Sequence, residues 1–167
     1  MIIVVIFWLS VPIVSWLYYL NRFTNNSKQI TQELINDSSE KFFGLKVWCK
    51  NYDILKKKYK FNADPFQTNY SFYSCDLILN ADYFVVIGKT RFFGKEIDLH
   101  PIIFFFGENK LPEDIQNRVV RCENIHENGG DLEVLFSDKG YTNKMTLVIK
   151  GIDKVLKSKI ILCFNIK

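Results

Sequence analysis

The chain is poor in the residues from which catalytic and metal sites are built. It holds two histidines and four cysteines, and Cys49, Cys75, Cys122 and Cys163 stand far apart. No CxxC pair occurs, which removes the local zinc and redox motifs. There is no HExxH helix, phosphate-binding glycine loop, EF-hand loop or glycine-flanked serine elbow. Cysteine is too sparse for a disulfide-stapled scaffold. No internal repeat is present. The charge excess is only +4, and with no recognition module it excludes nucleic acid as the expected partner. No metal and no cofactor are expected, and Cys75 and Cys163, on apolar faces, read as structural thiols.

Charge is also missing locally. No Asp, Glu, Lys or Arg occurs in residues 1–21, and residues 2–20 read IIVVIFWLSVPIVSWLYYL. As a helix these would rise about 28 Å, close to the roughly 30 Å hydrocarbon core of a bilayer. Trp16, Tyr18 and Tyr19 sit where an interfacial aromatic belt would lie. The run has no basic leader and no Ala-x-Ala-like cleavage site, so the expectation is a retained transmembrane helix over 1–21 and not a signal peptide. Arg22 and Lys28 come after it and nothing basic precedes it. The positive-inside bias then places the protein in the cell membrane, single-pass, with its folded part cytoplasmic. Residues 22–41 read as a juxtamembrane linker or short helix carrying Ile30, Leu34 and Ile35.

Residues 42–167 read as a charged, β-rich domain. The block FFGLKVW (42–48) opens it, and residues 42–61 stay open between helix and strand. Residues 72–79 read as a strand with Cys75, Leu77 and Leu79 on one face. YFVVIGK (83–89) is a second, set off by Asn80-Ala81-Asp82. In 95–106 alternation places Ile97 and Leu99 against Glu96, Asp98 and His100. Pro101 then marks an edge or end, and residues 102–106 read as a buried strand or short helix. Residues 118–125, 131–137 and 144–150 complete the series. Asn128-Gly129-Gly130 is a strong hairpin turn. Residues 151–167 show helical spacing at Ile152, Val155, Leu156, Ile160 and Cys163, with a terminal strand over 159–166 as the competing reading. The expected fold is mainly β: a small antiparallel barrel or sheet of six or seven strands with a C-terminal capping helix.

The segment CDLILNADYFVVIGKTRFFGKEIDLHPIIF (75–104) resembles the early hairpins of the pleckstrin-homology-like superfold, GRAM and bacterial PH-like groups included. GGDLEVLFSDKG…KMTLVIKG (129–151) resembles its later hairpins, and GIDKVLKSKI the start of its capping helix. The resemblance implies a non-catalytic platform for phosphoinositides, other lipids, peptides or domain partners. It directs attention to the basic groups. Lys56, Lys57, Lys58 and Lys60, interleaved with Tyr59 and Phe61, are a candidate surface for anionic headgroups. Lys89, Arg91 and Lys95, with Phe92 and Phe93, form a second candidate at a hairpin tip. The expected function is a membrane-anchored docking domain for a protein partner or the lipid surface. The partners implied are the bilayer, its anionic headgroups and a membrane protein. One alternative is a structural or assembly subunit of a membrane complex, which exposed aromatics at Phe92, Phe93 and 104–106 would favour. Another is a hydrolase pairing Asp98 and His100 with Ser71, Ser74 or Cys75.

Overall fold

A computed structural model describes Val14, Tyr18, Asn21, Asn25, Lys28, Gln29, Thr31, Gln32 and Leu34. It further describes residues 39–50, 70–92, 94–99, 101–107, 119–138 and 144–166. Among the described residues, eight strands precede a C-terminal helix. They are β1 (Glu40–Lys50), β2 (Phe72–Leu79), β3 (Tyr83–Phe92), β4 (Lys95–Asp98), β5 (Ile102–Phe105), β6 (Val119–Asn128), β7 (Asp131–Ser137) and β8 (Met145–Lys150). The helix, α1, is Lys154–Asn165.

The mainly-β expectation holds, with two differences in detail. First, the sheet is mixed. Its order is β2-β1-β8-β7-β6-β5-β3-β4, and β5 pairs with β6 in parallel. A parallel return needs a connection of a dozen or more residues, and the chain from Phe105 to Val119 is long enough to supply it. Second, the run 95–106 is split in two. Both parts pair with β3, as Phe92↔Lys95 through Lys89↔Asp98 and as Val86↔Ile102 through Tyr83↔Phe105. The register slips by one residue between them, at Leu99 to Pro101, where proline cannot donate to a ladder. Residues 42–50, open at the sequence level, lie in a strand that begins at Glu40, inside the expected linker 22–41. Because β2 also pairs with β3, the pairings of β1, β2, β3, β5, β6, β7 and β8 run in a circuit, and β4 extends β3 outside it.

The core explains the continuous apolar runs. Phe84 and Val86 of β3 join a large cluster with Leu77, Phe104, Phe136 and Leu147. Val85 and Ile87, pointing the other way, join Ile78, Ile103 and Leu34 in a second cluster. A strand buried on both faces needs no polar alternation, which is why YFVVI and IIFF read as unbroken hydrophobic text. Phe84 and Phe104 are register partners and stack at 4.8 Å, while Phe104 meets Phe136 edge-on at 5.2 Å. Such pairs contribute about 0.5–1.5 kcal/mol each beyond their burial. The hairpin signal at 128–130 is borne out: Asn128 pairs with Asp131, and Gly129 and Gly130 both take positive φ, at 59° and 89°. This is the primed turn that matches strand twist.

α1 begins at Asp153, whose side chain accepts from the Leu156 amide at 2.8 Å. It buries Leu156 and Ile160, and Phe164 meets Phe106 edge-on. Val155, expected on the same buried stripe, faces outward instead.

One expectation is overturned. Among the described residues no helix is long and apolar enough to cross a membrane. α1 has 12 residues, a rise of about 18 Å against a hydrocarbon core of about 30 Å. Of the span expected over 1–21 only Val14, Tyr18 and Asn21 are described, each helical and exposed; the rest lies outside the described residues. Run length and hydropathy measure composition alone, and the described helices give the transmembrane assignment no support. The single-pass cell-membrane localisation is corrected with it.

Candidate functional site

Of the two basic groups singled out in the sequence, Lys56, Lys57, Lys58 and Lys60 lie outside the described residues, as do Phe93 and the side chain of Phe92. Lys89, Arg91 and Lys95 are brought together on the β3–β4 hairpin, where the charge of Lys89 is matched. Lys89 Nζ lies 2.8 Å from Asp76 Oδ2 and 3.0 Å from Glu96 Oε1. The Asp76 hydrogen bond, aided by Glu96 and opposed by burial, raises its pKa and holds it as an ammonium. By register Arg91 faces Glu96 and Lys89 faces Asp98. Lys89 is thus neutralised by Asp76 and Glu96, and Glu96 also faces Arg91 across the ladder. Arg91 and Lys95 are exposed.

The hydrolase residues do not converge among the described residues. His100 lies outside them. The Cys75 thiol is buried and donates to the Leu45 carbonyl at 3.3 Å. Burial, with Asp76 adding to it, pushes its pKa up to about 12. Burial raises Cys49 to about 12 as well and raises Cys122 further. A thiol held protonated is a poor nucleophile. Ser71 Oγ accepts from the Cys49 amide at 2.9 Å. No group of three or more His, Cys, Asp or Glu among the described residues can hold a metal ion. Phe104 and Phe106 are buried, so the aromatic surface that would have favoured an assembly subunit is not formed there.

An open cavity of about 740 Å³ lies where β5 ends and β6 continues, lined by Phe105, Phe106, Phe164, Arg121, Glu123 and Ser137 among others. Glu123 is paired with Lys144. Hydrogen bonding to Lys144 lowers its pKa, opposed by burial, and Ser137 adds a weaker hydrogen bond. A carboxylate held ionised in this way is unsuited to general acid work near neutrality.

The outer face of β2, β1, β8 and β7 is different. In LKVWCK (45–50) alternation sends Leu45 and Val47 into the core and Lys46 and Trp48 outward. Three large aromatics on β1 and β2 stay open: Tyr73 at 94% exposure, Phe43 at 69% and Trp48 at 45%. Across the strands, Trp48 faces Val148, Val148 faces Glu133, and Glu133 faces His126. Lys50 Nζ and Lys150 Nζ lie 5.8 and 5.5 Å from the Trp48 ring centroid. Beneath them Glu133 is buried and takes Lys50 at 2.5 Å and Asn128 at 3.1 Å, with His126 at 3.7 Å. The Lys50 bond, then that of Asn128, lowers the Glu133 pKa against burial, with Lys50 and His126 adding electrostatically. The sequence reading missed Lys46, Trp48, Tyr73 and Lys150. The period-two pattern of LKVWCK was the available signal, and leaving 42–61 unassigned concealed it.

Comparison with family models, curated proteins and solved structures finds no match.

Proposed function

We propose that this chain is a non-catalytic docking domain that binds a protein partner on the outer face of β2, β1 and β8. The observation that carries the reading is the exposure of Tyr73, Phe43 and Trp48 on two adjacent strands. Tyr and Trp are the side chains most enriched where binding energy concentrates, because each supplies a large rigid surface with a polar handle. β1 lies inside the strand order, bonded on both sides, so contact there is made through side chains and not by strand addition. The described thiols with raised pKa values and the charge-matched Lys89 leave reaction chemistry without support on the described surface.

The proposal includes a small PH-like barrel as the scaffold. The circuit of seven strand pairings and the helix packed after the last strand support it. The parallel β5–β6 pair and the extra strand β4 set this chain apart from a simple series of antiparallel hairpins.

The test is selection of peptides from a random display library on the full chain, followed by titration against Trp48→Ala and Tyr73→Ala. The expected result is selected peptides whose affinity drops about tenfold or more in both variants, the loss typical of a central aromatic contact. Peptides that bind both variants as they bind the parent would refute this face as the docking site.

A further inference from the structure

Strand register can place opposite charges across from one another, as it does for two cations of the β3–β4 hairpin, and several other described cations have a carboxylate partner. Arg91 faces Glu96, and Lys89 faces Asp98. Lys50 is held by Glu133, Lys144 by Glu123, Lys157 by Glu127 and Lys159 by Glu40. Lys46 and Lys150 instead form a like-charged pair. They are direct register partners on β1 and β8, and both are exposed. Like charges in that position destabilise a sheet. Among the described residues Lys46 has no carboxylate partner, and Lys150 has Asp131 Oδ2 at 3.6 Å. A like-charged pair offset by a single long ion pair is the kind of local departure found at functional sites.

The surroundings define that ligand. The Lys150 ammonium sits 5.5 Å from the Trp48 ring centroid, and Lys46 is its register partner. Both ring contacts of Trp48 are with the chain's own ammoniums, which disfavours a cationic guest. On the next row Lys50 is neutralised by Glu133, and Lys150 has Asp131 at 3.6 Å, so the pair Lys46 and Lys150 carries one uncompensated charge, that of Lys46. Lys46 lies between the pairs Leu45↔Cys75 and Val47↔Phe72, which makes Tyr73 and Ser74 its neighbours on β2. Two cations beside open aromatic rings suit a protein segment better than a bilayer, for which clusters of four to eight cations are typical.

We propose that Lys46 and Lys150, flanked by Trp48 and Tyr73, bind the carboxylates of an acidic protein segment. This rests on the docking reading above and adds the chemistry of the partner. The probe is a short synthetic peptide alternating Glu with Tyr, beside its Gln/Tyr counterpart. Both are titrated into the full chain with Trp8 and Trp16 replaced by Phe, so that emission reports Trp48. The Glu peptide is expected to bind, and the Gln peptide to bind at least about tenfold more weakly. Lys46→Glu and Lys150→Glu are each expected to cost about tenfold, and Lys41→Glu, at the far end of β1, less than about twofold. Without peptide, Lys46→Thr is expected to raise the urea midpoint at low salt, because it removes the opposed charge. Equal binding of the two peptides would overturn the carboxylate assignment while leaving an apolar docking face standing. Binding to phosphatidylserine vesicles with none to the Glu peptide would overturn the protein assignment. Binding of neither would overturn this proposal, and the library selection judges the docking reading independently.

Discussion

Gly88 lies in the middle of β3, and its replacement by alanine tests the packing of the whole strand circuit. A methyl group built there would stand 2.4 Å from Phe72 Cδ1, 2.5 Å from Cε1 and 2.7 Å from Cγ. These distances are well inside van der Waals contact, and the ring belongs to the main core. The backbone at Gly88 does not take positive φ, so alanine meets no conformational penalty. Without the ring, the exchange would be neutral or would stabilise by about 0.5–1 kcal/mol through reduced chain entropy. With it, over-packing costs about 1–3 kcal/mol. That is a large share of a stability of about 5–15 kcal/mol. Phe72→Ala alone should cost about 3–5 kcal/mol. Adding Gly88→Ala to it should then cost nothing measurable, a favourable coupling of about 2 kcal/mol between the two sites. Urea unfolding followed by far-ultraviolet circular dichroism measures the four corners of this cycle. If Phe72→Ala is too unstable to measure, Phe72→Leu takes its place with a smaller expected coupling. The same cost for Gly88→Ala in both backgrounds would refute the close approach of β2 and β3 on which the reasoning rests.

Three further outcomes are expected. Iodoacetamide at pH 8 should leave Cys75 and Cys122 unmodified in the native chain and modify all four cysteines after denaturation. At a pKa of about 12 for Cys75 the thiolate is only about a ten-thousandth of the population, and rapid native labelling would restore the case for a thiol enzyme. Because its partners lower the Glu133 pKa below the usual 4.5, the stabilisation is present above that value. It is lost as pH falls through the folded-state pKa. Glu133→Gln should therefore shrink the stability difference between pH 7 and pH 3 in urea titrations, and an unchanged difference would count against the buried ion pair. Asp153→Ala removes the cap on Leu156 and should cost about 1 kcal/mol, read as a lowered thermal midpoint. A change within experimental error would mean that the last strand and Phe164 hold the helix without its cap.

Much of the fold was legible because its signals are local. Period-two alternation marked 131–137 and 145–150, and Asn128-Gly129-Gly130 marked a turn only glycine makes easily. Asp153 beside an i, i+3, i+4 stripe marked the helix. The runs at 83–87 and 102–105 were harder. With both faces buried they lose alternation, and only the second cluster around Ile78, Val85, Ile103 and Leu34 explains them. The site was less legible. Lys89 looked like an available cation because its neutralisers, Asp76 on β2 and Glu96 on β4, arrive by folding. Trp48 was left unassigned because a strand's outward face is defined only once its neighbours are known.

The sequence by itself determined that this chain is mainly β and where most of its strands turn, and it put helical spacing in residues 151–167 with a strand over 159–166 still open. Those features come from each residue's own backbone preferences and the alternation of its near neighbours. Tertiary structure decided that the strands pair in a circuit, that β5 and β6 run parallel, and that 102–105 continues the strand begun at 95 after a one-residue slip. It also decided which lysines are matched and which two face each other. Pairing partners and opposing charges are separated by tens of residues along the chain, and only the register of folded strands brings them within reach.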